Sequence, residues 1–294
     1  MVTTQKKLTP AARKAAILGR MSRMDETVPD RNVVAQLYSV PGAGKSTLIA
    51  ELAQALRGDR QVLYVDARQG WISLEDKPEL KEETIYSGSY YPAKDLMALA
   101  DMLLDDREND GPTSGVGVLV LDEYTTWYKD VLEDSVRGRT GIDGVELLPA
   151  VEGLDHGPAA AIMEAVLAKL VSVPDLDVLI VAHAREKAER VRGAGEARTT
   201  YMPNYPPLMR INIEALLHSS VFLQRKIDGR GKATRTVITA PSSTVQAKNR
   251  FSTMPIGEIT PKQYVQAIVA WKNGEGVQHA ALADLGETPE EEGA

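Results

Sequence analysis

Residues 39–47 read SVPGAGKST, and no other stretch restricts the fold of this chain as tightly. Gly42 and Gly44 permit the backbone conformations that turn several N–H groups into one hollow. The preceding NVVAQLY at 32–38 is a short apolar run and reads as a buried strand. Beyond the turn, Leu48, Ile49, Leu52 and Leu56 recur at helical spacing over 45–56. Strand, glycine-rich turn and helix in that order predict the opening of an α/β unit with a parallel sheet.

The same segment fits the phosphate-loop pattern GxxxxGK[ST] everywhere but its first position, where Ser39 replaces glycine. That first glycine eases the exit from the strand, so serine there is a tolerable departure. The inward N–H groups and the positive end of the following helix suit a phosphate chain. Lys45 can reach the β- and γ-phosphates, and the Ser46 hydroxyl can ligate Mg²⁺. Ser39, Val40, Pro41, Gly42, Ala43, Gly44, Lys45, Ser46 and Thr47 are therefore the candidate nucleotide-binding residues, with ATP and Mg²⁺ as the expected cofactors.

Further along, 61–65, 84–86, 115–121 and 177–182 read as strands, with helices predicted over 94–104 and 158–171. After about residue 218 the alternation stops. Segments 220–226 and 234–239 look like strands joined by Asp228-Gly229-Arg230-Gly231, and 245–248 is a candidate third. The last helix has a full start signal in Thr260, Pro261 and Gln263, and Asn273-Gly274 ends it. The expected fold class is α/β: a mostly parallel twisted sheet flanked by helices, with a C-terminal antiparallel extension.

Charge is segregated. The chain of 294 residues has a net charge of −7, yet residues 185–250 hold 13 Lys or Arg against 5 Asp or Glu. Residues 1–31 are read as a basic helical segment, 32–275 as the ATPase core and 276–294 as an acidic, disordered tail. The first 24 residues lack the apolar stretch and cleavage site of a secretory signal, and no apolar run approaches the roughly 20 residues of a membrane span. The expectation is a cytoplasmic protein without a membrane partner. There is no cysteine, so thiol chemistry and thiolate metal sites are excluded.

A second buried run, VLVLDE at 118–123, delivers two carboxylates at a strand end. Asp122 there suits Mg²⁺ held through water, and Glu123 can orient or deprotonate an attacking water. His183 closes the next apolar run, VLIVAH, and would lie beside Asp122 at the carboxyl edge of the sheet, where it can sense the γ-phosphate. A surface histidine at a strand end is the alternative.

Phosphate loop, strand-end Asp, strand-end polar sensor, mobile loop and late antiparallel strands together resemble the RecA-type recombinase core over roughly residues 32–257. The Ala247-Lys248-Asn249-Arg250 segment is similar to the Lys-Asn-Lys-like stretch of that family, with Arg250 in place of the second lysine. In the family this stretch supplies cations to ATP bound by a neighbouring subunit. The resemblance thus implies self-association into a ring or filament, with Lys248 and Arg250 acting across the interface. The Val65-Asp66-Ala67 and 247–251 segments are most similar to phage-encoded single-core RecA-like proteins of single-strand annealing and recombination, which would place the protein in a bacterial host's cytoplasm. One departure matters. The family's catalytic glutamate falls here on Arg68, so Glu123 is the expected water-activating base, with Asp66 second.

The resemblance also directs attention to two stretches as loops facing single-stranded DNA. Arg137 and Arg139 follow the Asp122 strand. Arg185, Lys187, Arg190, Arg192 and Arg198 follow His183, with Tyr201 and Tyr205 near enough for base stacking. A solvated basic helix is the alternative, because Glu186, Glu189 and Glu196 are interspersed. Trp71 and Trp127 read as packing residues. Two other functions stay open: a P-loop kinase of nucleotides or small molecules, and a P-loop motor or switch acting on a protein.

Overall fold

The computed structural model describes residues 31–67, 72, 74–86, 92–140, 155–190, 197–227, 229 and 231–275. The expected basic segment and acidic tail lie outside them, apart from Arg31. Five parallel pairings join six strands in the order β3 (Thr84–Tyr86), β2 (Gln61–Asp66), β4 (Val116–Asp122), β5 (Asp177–Arg190), β1 (Val34–Ser39) and β7 (Ser219–Ile227). Antiparallel β8 (Ala233–Ile238) and β10 (Glu258–Ile259) extend the sheet past β7, and the short β9 (Lys248–Asn249) also pairs with β7. The expected parallel core with an antiparallel extension is the architecture observed.

Both faces of the central strands are covered, which explains why they read as continuous apolar runs. On β5, Val178, Ile180 and Ala182 enter one core, while Leu179 and Val181 enter the other. The first core is closed by α2 (Asp95–Asn109), α3 (Tyr124–Thr140), α4 (His156–Val171) and α5 (Pro207–Leu216). The second is closed by α1 (Lys45–Arg57) and α6 (Pro261–Lys272). Trp127 is fully buried on α3, as its reading as a packing residue requires. The α6 start is the expected one: Thr260 accepts from the Gln263 N–H, and the Gln263 side chain accepts from the Thr260 N–H.

Two departures from the sequence reading matter for the site. Where it is described, over 184–190 and 197–203, the basic stretch after His183 is neither loop nor helix. β5 continues unbroken to Arg190 and pairs antiparallel with β6 (Ala197–Pro203), forming a two-stranded ribbon that extends from the sheet. Its Arg and Lys residues had masked the strand, because alternating charge carries no hydrophobic period. Likewise Arg137 and Arg139 sit on helix α3 rather than on a loop.

Candidate functional site

The site assembles at the carboxyl edge of the parallel strands, because register brings their ends level. Ser39 at the end of β1 is opposite His183 on β5, and Asp66 at the end of β2 is opposite Asp122 on β4. Between β1 and α1 the chain makes the glycine turn, with Gly42 at φ 75° and Gly44 at φ 95°. Both angles lie where a Cβ is strained, which accounts for glycine at these two positions. Gly44 is also the N-cap of α1, and the α1 N–H groups beyond it point toward the turn. Ser39, expected as a tolerable substitute, is fully buried and donates its hydroxyl to the Val40 carbonyl at 2.8 Å.

Lys45 is buried at the first position of α1, and burial pushes its amine below the ordinary lysine range against the pull of Glu123 and Asp122. An ammonium held there, facing carboxylates, supplies positive charge to a phosphate chain in the turn. Asp122 is buried to a similar degree, and its carboxyl is pushed up to about 6 by desolvation. Hydrogen bonds from Tyr64 and Ser46 oppose that rise, while the neighbouring charges of Asp66 and Glu123 add to it. The Tyr64 hydroxyl donates to Asp122 Oδ2 at 2.5 Å. The Ser46 hydroxyl thus stands near Asp122, the pair expected to hold a metal.

Mg²⁺ takes few protein ligands and completes its shell with phosphate and water oxygens. Among the described residues there is no group of three or more His, Asp or Glu able to cage a metal. A hydroxyl and a carboxylate near one another beside a phosphate hollow are a donor set that suits Mg²⁺ with a nucleotide.

Glu123 follows in sequence, joined to Asp122 through a cis peptide. It is nearly buried, accepts from Thr125 Oγ1 at 3.1 Å and contacts His183 Nε2. His183 in turn has its backbone N–H on Thr125 Oγ1 at 3.3 Å, while its buried Nδ1 has no hydrogen-bond partner among the described residues. The sequence placed Glu123 and His183 at one sheet edge; their direct contact and the bridging role of Thr125 were not foreseen. Asp66 is also buried beside Asp122. Arg68 lies outside the described residues.

The remaining candidates fare differently. Lys248 is half-buried and donates to the Glu214 carbonyl, so it is tied within its own chain. Arg250 is exposed just past β9, its backbone N–H bonded to the His218 carbonyl at 2.8 Å. The alternating strand expected to present both cations is only two residues long.

Arg137 pairs with Asp134 at 3.1 Å and Glu133 at 3.7 Å on its own helix, where acids a turn away draw it along the surface. Arg185 and Lys187 are exposed on the ribbon and, two residues apart, share one face, with Glu186 on the other. The backbones of Arg139, Arg190 and Arg198 lie on α3, β5 and β6, their side chains outside the description, and Arg192 lies outside the described residues.

The tyrosines expected to stack on bases are committed elsewhere. Tyr205 is buried, with its hydroxyl accepting from Gln36 Nε2 at 2.6 Å, and Tyr201 stacks on Phe222. Two arginines that the sequence reading overlooked, Arg225 and Arg235, rest against the phosphate loop. Among the described residues no helix is long and apolar enough to cross a membrane.

This geometry agrees with an independent comparison of the sequence. A family model described as AAA domain matches residues 31–251, which is most of the chain and includes every side chain of the cluster just described. No curated protein matches.

Proposed function

The chain belongs to the AAA domain family of P-loop ATPases, and from that premise we propose that it hydrolyses ATP at the β1–β5–β4 edge and couples that reaction to single-stranded DNA on the β5–β6 ribbon. The observation that supports the coupling is the continuity of β5. One strand holds His183 against Glu123 and, two and four residues later, presents Arg185 and Lys187.

In this reading the phosphate-loop N–H groups and Lys45 hold the triphosphate, and Ser46 and Asp122 would hold Mg²⁺. The ion neutralises charge on the phosphate oxygens when bound. Glu123 accepts a proton from water as the water oxygen bonds to the γ-phosphorus and the bond to the ADP oxygen breaks, giving ADP and phosphate. Asp66 is the second candidate for that base. His183, in contact with Glu123, moves with the state of the γ-phosphate and passes it along β5. Phosphates of a single strand would lie along the Arg185 and Lys187 face.

The deciding experiment measures ATP turnover alone, with single-stranded DNA and with a nucleoside panel. Stimulation by DNA supports the reading. A phosphorylated acceptor would replace it with a kinase, and indifference to both with a motor or switch acting on a protein. Self-association has its own test. Arg250, exposed near β9, supplies the trans cation with Lys248 behind it. Lys248→Ala plus Arg250→Ala protein then binds ATP without hydrolysing it, with a loss on the order of 10³-fold or more. Mixing it with Lys45→Ala protein restores activity at shared sites. Absence of rescue in co-assembled mixtures returns both residues to the surface.

A further inference from the structure

The acids and Lys45 account for one side of the phosphate loop, toward β5 and β4. On the other side of β1 lies β7, which pairs in parallel as far as Tyr38–Phe222 and then runs on past the sheet edge. Its extension forms a hairpin with β8 in which Arg225 and Arg235 are direct partners. Cross-strand partners project to the same face, here the face that carries Leu223 and Val237 into the α1 core.

Both guanidinium groups close on the loop. Arg225 Nη1 donates to the Gly42 carbonyl at 3.3 Å, and Arg235 Cζ lies 2.8 Å from where a Cβ on Gly44 would stand. Like charges directly opposite one another in a sheet are unfavourable. Neither arginine has a carboxylate partner among the described residues. Two cations, forced together by register and aimed at a hollow built for anions, thus stand without a counter-charge among the described residues.

Direction then says which part of the ligand they meet. With the terminal phosphate among Lys45, Ser46 and the acids of β4, the chain of phosphates leaves the loop on the side away from β4. That side is occupied by β7 and β8.

We propose that Arg225 and Arg235 form a clamp, in the same chain as the phosphate loop, that holds the nucleoside-side (α) phosphate of the bound nucleotide. The clamp rests on the reading of residues 39–47 as a nucleotide site. It is separate from any cation contributed by a neighbouring chain, and it acts on diphosphate and triphosphate alike, since both retain the α-phosphate. Planar guanidinium groups suit this task, because each offers paired donors to phosphate oxygens.

The test is nucleotide affinity, measured by calorimetry for ATP and ADP on wild type, on Arg225→Gln plus Arg235→Gln, and on Lys45→Ala. The clamp predicts that the double variant loses about tenfold or more in affinity for both nucleotides, by similar factors. Its unliganded melting temperature should stay level or rise, since a like-charge pair is removed, while the shift produced by ADP shrinks. A purely structural role would instead lower the unliganded value. Loss for ATP alone would place the arginines at the γ-phosphate and overturn the assignment, as would unchanged affinity for both. If Lys45→Ala binds less tightly while the double variant binds as wild type, only the clamp fails. If wild type binds neither nucleotide, the site reading and the clamp fall together.

Discussion

On one side of the phosphate loop, Lys45, Asp66, Asp122 and Glu123 are each less than a tenth exposed; on the other, Arg225 and Arg235 stand on an exposed hairpin. The buried side pays for its charges in desolvation, visible in the raised Asp122 carboxyl and the lowered Lys45 amine. Its groups are held in place by hydrogen bonds from Tyr64 and Thr125. The exposed side makes one long hydrogen bond to loop backbone, from Arg225, and keeps its charge available. Chemistry at the γ-phosphate needs fixed groups screened from water, whereas holding the far end of a ligand needs only reach and charge. The two sides should therefore respond differently to substitution.

The largest expected effect is on the buried side. Lys45→Ala removes the ammonium that faces Glu123 and Asp122, and steady-state turnover should fall on the order of 10³-fold, with weaker nucleotide binding. A stable variant with near-wild-type turnover would remove the distinction between the two sides altogether.

Asp177 offers a buried charge remote from the chemistry, at the start of β5. It is fully buried, accepts from the Val33 N–H at 2.8 Å, contacts Lys272 and lies 3.6 Å from Arg60. Desolvation still outweighs those cations and raises its carboxyl. Asp177→Ala should cost about 2–4 kcal/mol by denaturant unfolding, since it orphans an N–H and an ammonium. Activity per folded molecule should stay intact. A fall in turnover without loss of stability would show that burial alone does not separate structural from functional charge here.

The smallest effect belongs to the ribbon. Arg185→Gln plus Lys187→Gln should leave basal turnover unchanged, weaken DNA binding several-fold and reduce its salt dependence, because phosphate contacts are lost. Titration at two salt concentrations checks this. An unaltered salt slope would remove the ribbon from the DNA reading.

What was legible in the sequence follows the same division. Buried strands announce themselves as apolar runs, so β1, β4 and the first half of β5 were found, and with them Asp122, Glu123 and His183 at one edge. The Thr260, Pro261 and Gln263 signal fixed the start of α6 because capping is local. The exposed ribbon was not legible, since Arg185 to Arg190 has no apolar alternation. The contact between Glu123 and His183 depends on side-chain geometry that no pattern encodes. Arg225 and Arg235 were within reach. They are equidistant from Arg230 in the turn between the two predicted strands, and pairing those strands around it makes them partners.

Glu123 is proposed to activate water in a site whose nucleotide binding does not depend on it. Single-turnover chemistry on Glu123→Gln tests this most directly: Mg²⁺ and labelled ATP are mixed with excess protein, and the nucleotide is recovered over time. The account predicts ATP bound as tightly as by wild type and recovered intact, with cleavage slowed about 100-fold, while Asp66→Asn is slowed less. Release of ADP from Glu123→Gln at the wild-type rate, with Asp66→Asn inert, would contradict it and move the catalytic role to the neighbouring strand.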